Sequence, residues 1–116
     1  MTVAQGLLTA DQFRLLPDTG RPCELVRGRV VERSLPAPRH GYYCSNVALL
    51  VGGHVKARRL GRVMTNDSAI VTERGPDTVR GADVAFYSYA RLPAGPLPEG
   101  YVDVAPGAGV RGTLAH

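Results

Sequence analysis

The apolar positions change period several times along the chain, and each change predicts an element. A short helix is expected between Leu8 and Leu16. Thr9 suits the N-cap, Gln12 completes a capping box, and Leu8 and Phe13 have the spacing of a hydrophobic staple. Asp11 complements the positive end of the helix dipole. Pro17 stops the helix and Asp18-Thr19-Gly20 turns the chain. From Cys23 to Arg33 the pattern is that of a β-hairpin, with Arg27-Gly28 as its loop. In its first strand Glu24 and Val26 face one way and Leu25 the other, so Glu24 lies either at a sheet edge or in a site.

Ser34 to Arg39 is a proline-rich connection. From His40 or Gly41 to Leu60 the period becomes helical, with Tyr43, Val47, Leu50, Val51, His54 and Val55 on one face. Gly52-Gly53 weakens the middle, at roughly 1 kcal/mol per glycine relative to alanine. Lys56, Arg58 and Arg59 complement the dipole of the last turn, and Gly61 suits the C′ position. Two strands, Arg62–Thr65 and Ala69–Thr72, are then expected around a turn at Asn66-Asp67-Ser68. A second turn spans Glu73 to Asp77.

Thr78 to Tyr87 reads as a strand in which Val84 and Phe86 alternate with Asp83, Ala85 and Tyr87. Aspartate is a poor strand former, and Asp83 is placed at the strand's entry. It is either a carboxylate in solvent at the end of a strand or a metal ligand at the rim of a sheet. Ser88 to Leu92 fits one helical turn. An irregular loop rich in proline follows, then a semi-extended piece from Tyr101 to Pro106. Gly107 to His116 has no periodicity and is expected to be a poorly ordered or unrelated tail.

Composition narrows the class. The 116 residues suffice for one domain with its own core. Hydrophobic content of 44% and charged content of 21% are ordinary for a soluble globular protein. The net charge of +4 permits a phosphate-rich partner without requiring one. The basic helix end with Arg80, Arg91 and Arg111 could hold a nucleic acid or a partner protein. Cys23 and Cys44 form no CxxC pair, the histidines complete no zinc spacing, and free thiols in a reducing cytoplasm are expected. The first residues lack the pattern of a signal peptide and no stretch is long enough to span a bilayer, so a cytoplasmic protein with no membrane partner is expected.

Several stretches in order resemble the Uma family of bacterial restriction endonucleases, which have a PD-(D/E)xK nuclease-like fold. They are Leu8-Thr9-Ala10-Asp11-Gln12-Phe13, Leu16-Pro17, Gly20, and Cys23-Glu24-Leu25-Val26-Arg27-Gly28-Arg29-Val30. Pro36, Pro38 and His40 match the connection before the long helix. Thr78 to Phe86 matches the family's Pro-Asp strand, with Ala82 in place of proline. The resemblance covers residues 8–106. It implies an α+β, restriction-endonuclease-like fold with an N-terminal helix, a β-hairpin, a long helix and then antiparallel or mixed strands.

The resemblance also implies a chemistry, Mg²⁺-dependent hydrolysis of DNA phosphodiester bonds. Such an ion needs hard oxygen ligands from converging acids. It lowers the pKa of a water and steadies charge on the scissile phosphate. Asp83 takes the family's aspartate position and Glu24 its hairpin glutamate, so these two are the expected metal ligands. His40 corresponds to a recurrent histidine and completes the candidate catalytic set, although a helix-entry residue bonded to backbone fits it equally. Lys56, the chain's one lysine, is read as a helix C-terminal cation.

Beyond Ala105-Pro106 the family continues with a strand carrying a second acid, then a helix with a lysine and a final strand. Gly107 to His116 departs from that pattern, as a frameshift or premature stop would leave it. The expectation is therefore an incomplete core and a weakly active or inactive nuclease, with a non-catalytic binding remnant as the alternative. A third reading is a decaying gene product. An exposed sheet edge would favour a homodimer or aggregation. The frameshift expectation is checked in the DNA just downstream, which should encode the missing strand in another frame; finding no such coding sequence would contradict it.

Overall fold

The computed structural model describes residues 6–110. Arg111 and the rest of the tail lie outside them. The elements in order are α1 (Ala10–Arg14), β1 (Cys23–Val26), β2 (Arg29–Glu32), α2 (Pro38–Arg58), β3 (Gly61–Glu73), β4 (Thr78–Ser88) and β5 (Ala108–Val110). The α+β fold is as expected. The strands form one sheet in the order β2-β1-β4-β3, with β5 also on β4, and every strand pair is antiparallel.

The local signals explain the N-terminal half. Thr9 caps α1 with the full capping box: its Oγ1 accepts from Gln12 N–H at 3.1 Å and Gln12 Oε1 accepts from Thr9 N–H at 2.9 Å. The hairpin turns at Arg27 and Gly28, whose φ values of 49° and 84° give the mirror-image turn that matches strand twist. β2 is the exposed outer strand, and its Arg29 and Glu32 discourage pairing with another chain.

α2 begins earlier than expected. Pro38 takes the first helical position, where the missing N–H costs nothing. Its left-handed C-cap is Arg59, at φ 52° and ψ 46°, not the predicted glycine. Gly61 instead opens β3, because a Cβ there would collide with the Tyr87 carbonyl across the strand pair. The predicted inward face of α2 is only partly inward: Val55 is buried, whereas Tyr43 and Leu50 are exposed.

Two other expectations are corrected. Asn66-Asp67-Ser68 does not separate two strands. β3 is continuous, with a register shift between Thr65 and Ser68, and Asn66 and Asp67 take positive φ of 64° and 61°. Asp83 does not open its strand either; β4 starts five residues earlier, at Thr78, and Asp83 lies within it. β4 is the sheet's central strand. β3 covers one edge along most of its length, and on the other edge β1 meets it at Val79 and β5 at Val84 to Phe86. Within the tail, Ala108–Val110 form strand β5.

The core has two clusters. Leu25, Val71, Val79 and Ala10 form one, with Phe13 and Tyr101 packed against it. Ile70, Ala82, Ala85 and Tyr87 form the other. Ile70 and Val71 are consecutive and point to opposite faces, so both faces of the sheet are covered there. Full burial of a side chain such as Leu25 or Val79 contributes about 1.5–3 kcal/mol.

Asp77 fastens α1 to this core. Its buried Oδ2 accepts from Ala10 N–H at 2.7 Å and Arg74 Nη1 lies 3.2 Å away. The Ala10 N–H holds the Asp77 carboxyl below its ordinary value, with Gly75 N–H and Arg74 adding to the effect and burial opposing it. A carboxyl with a depressed folded pKa stabilises above its unfolded pKa, and that contribution is lost as pH falls through the folded value. Asp77→Asn should therefore cost about 1–3 kcal/mol near neutral pH by urea denaturation. The gap to wild type should shrink as pH falls below about 4; a gap independent of pH would contradict this role.

Candidate functional site

Glu24, at the second position of β1, is 4% exposed. The β1–β4 register is carried by Leu25 opposite Val79. Beside it the Glu24 side chain reaches β4 directly, and Oε2 accepts from Gly81 N–H at 3.0 Å. Arg80 Nη1 donates to Oε1 and Arg33 Nη1 to Oε2, each at 3.2 Å. Glu24 is therefore no edge residue. It is a buried carboxylate held by two guanidiniums and an amide.

Arg33, just past β2, donates with its other terminal nitrogen to Asp67 Oδ2 at 2.9 Å. This links the hairpin to the bulge of β3. Thr65 pairs with Val84 and Ser68 with Ala82, so Asn66 and Asp67 together stand opposite Asp83. Gly81 permits the approach, since a Cβ there would run into the Asp67 carboxylate. Burial pushes the Asp67 carboxyl above its ordinary pKa; Arg33 pulls it back, while Asp83 and Glu24 add to the rise.

Asp83 faces α2. Its Oδ2 is 3.2 Å from His40 Nε2, yet this buried oxygen has no aligned hydrogen-bond partner. His40 occupies the first turn of α2, and Cys44 follows one turn later on the same face. Cys44 Sγ lies 3.4 Å from the same His40 Nε2. Burial raises the pKa of the Cys44 thiol, and the Asp83 charge raises it further. His40, Cys44 and Asp83 bring one donor atom each to within 4.8 Å of one another.

The three predicted residues thus share a place but not a single constellation. Glu24, His40 and Asp83 line one cavity of ≈ 490 Å³ together with Arg33 and Arg80. Among the described residues, the group within metal-ligand range contains His40 and Asp83 but has Cys44 in place of Glu24. Arg33, Asp67 and Cys44 are not singled out as site residues by the sequence. The signals available were the four-residue spacing of His40 and Cys44, and an Asn-Asp pair that tolerates positive φ inside an apolar strand. Of the arginines read as a binding set, Arg80 is bonded to Glu24 and Arg91 donates to the Ala105 carbonyl at 3.1 Å.

The family profile described as putative restriction endonuclease, Uma2, matches residues 10–107. The fold is similar to the crystal structure of a putative nuclease belonging to DUF820 from Anabaena variabilis ATCC 29413. The TM-score is 0.62 at 21% identity, over 82% of this chain and 50% of that one. The chain thus spans half the length of that solved protein. No curated protein matches. No helix among the described residues is long and apolar enough to cross a membrane.

Glu24→Ala leaves the Arg33 and Arg80 charges facing a cavity without their carboxylate. It should cost about 3–5 kcal/mol, the range for breaking a buried pair from one side. Urea denaturation of wild type and variant checks this, and a loss below about 1 kcal/mol, the size of an exposed ion pair, would contradict a structural Glu24.

Proposed function

We propose that this chain, which belongs to the Uma2 family of putative restriction endonucleases, acts on the phosphodiester backbone of DNA through the cavity between Glu24 and Asp83. The observation that carries the reading is that one cavity collects Arg33, Arg80, His40 and Asp83 inside a fold of that family. Arg80 commits one terminal nitrogen to Glu24, and its side chain stays 32% exposed. A guanidinium has five N–H donors, so donors remain for a phosphate oxygen. The chain's charge of +4 and the exposed Lys56, Arg58 and Arg59 at the end of α2 favour the same polyanion.

Mg²⁺ takes near-octahedral oxygen coordination, usually through one or two carboxylates and several waters. Glu24 already serves two guanidiniums and the Gly81 amide. Asp83 Oδ2 has no aligned hydrogen bond, but it already lies against the His40 imidazole, with the Cys44 thiol close by. The Glu24–Asp83 pair does not suit Mg²⁺ in this arrangement, and we assign no step to that ion. The chain's own residues supply phosphate recognition by Arg80 and a carboxylate–imidazole pair, Asp83 and His40, at the cavity wall.

Duplex binding by fluorescence anisotropy and nicking of supercoiled plasmid test the reading together. Binding should weaken linearly in log affinity with log salt and survive Asp83→Asn, since the phosphate contacts are arginine and lysine. Nicking in Mg²⁺ should be at most a trace that Asp83→Asn removes. Absence of binding even at low salt would overturn the reading, and brisk EDTA-sensitive nicking by wild type would overturn the account of Glu24.

A further inference from the structure

We propose that His40, Cys44 and Asp83 form a binding site for a divalent transition-metal ion of the zinc class. The carrying observation is convergence on one atom. His40 Nε2 lies 3.4 Å from Cys44 Sγ and 3.2 Å from Asp83 Oδ2. Zinc bonds to sulfur, imidazole nitrogen and carboxylate oxygen are about 2.3, 2.0–2.1 and 2.0–2.2 Å long, so donors in a tetrahedral site stand about 3.4–3.6 Å apart. The two separations at His40 Nε2 are close to those a bound ion would set, and all three donor atoms lie within 4.8 Å of one another.

Position and chemistry agree with this spacing. His40 and Cys44 stand four residues apart on one helix, the interval that puts two ligands on one face. Asp83 approaches from β4, and its buried Oδ2 meets His40 Nε2 at 3.2 Å without an aligned hydrogen bond. An imidazole, a thiolate and one carboxylate are a borderline-soft set that suits zinc, cobalt or nickel and disfavours magnesium. Cys44 binds as the thiolate, and its proton leaves to solvent. A cavity of ≈ 380 Å³ with Thr65 and Asn66 in its wall adjoins all three side chains. It leaves room for a fourth ligand from water, the open position of a catalytic rather than a structural zinc site. The site does not depend on the DNA reading, because nothing in it requires a phosphate.

Cobalt(II) titration of the full chain in a reducing buffer, without DNA, tests the site. Wild type should bind one equivalent and develop a thiolate-to-cobalt charge-transfer band in the near ultraviolet. Zinc should bleach that band and excess Mg²⁺ should not. Cys44→Ser should lose the band while Cys23→Ser, at the other free thiol, keeps it. His40→Gln should keep the thiolate and lose affinity. Circular dichroism of each variant checks the fold. No band in wild type, a band persisting in Cys44→Ser, or unchanged affinity in His40→Gln would overturn the proposal.

Discussion

The structure depends on one buried carboxylate being neutralised. Glu24 joins β1 to β4 through Gly81 N–H and Arg80, and joins both to the segment after β2 through Arg33. Burying a carboxylate is costly, and Coulomb attraction repays it only where hydrogen bonds also satisfy the oxygens. Here each oxygen has a guanidinium, and one has an amide as well. The pairing adds less to stability than its contacts suggest. Its stronger effect is on geometry, since it fixes where β1, β4 and Arg33 lie.

The bulge of β3 follows from that constraint. Arg33 has a second terminal nitrogen, and Asp67 meets it. Asn66 and Asp67 adopt positive φ to make the reach, and Gly81 gives the Asp67 carboxylate space. Burial raises the Asp67 carboxyl above its ordinary value, Arg33 pulls it back, and the neighbouring Asp83 and Glu24 charges add to the rise. Asp83, opposite the bulge, is left to α2, and its neighbours become His40 and Cys44. Asp83 and His40 thus stand between two cavities, one walled by Arg33 and Arg80 and the other by Cys44, and which acid took the guanidiniums decides that division.

Local signals made the elements legible, and long-range ones made the site hard to see. The capping box at Thr9, the Arg27-Gly28 turn and the strand through Val84 and Phe86 need only neighbouring residues, and all three form. Asn66-Asp67-Ser68 has the residue types of a turn, and the partner strand β4 holds it as a bulge instead, with positive φ at Asn66 and Asp67. Low strand propensity places Asp83 at a strand's entry, whereas in the fold it lies inside β4, five residues after Thr78. Glu24 was placed between edge and site by its pattern alone. Its arginine partners lie 9 and 56 positions away, beyond any local period. The apolar spacing of α2 is helical as expected, but Tyr43 and Leu50 remain exposed.

The central claim is that Glu24 is a structural anchor coupled to arginine, so that Asp83 and not Glu24 carries the site's available oxygen. A double-mutant cycle between Glu24→Gln and Arg33→Met, read by urea denaturation, measures that coupling most directly. The account predicts a coupling of roughly 0.5–3 kcal/mol, the range for residues in one hydrogen-bond network. A coupling indistinguishable from zero would contradict it.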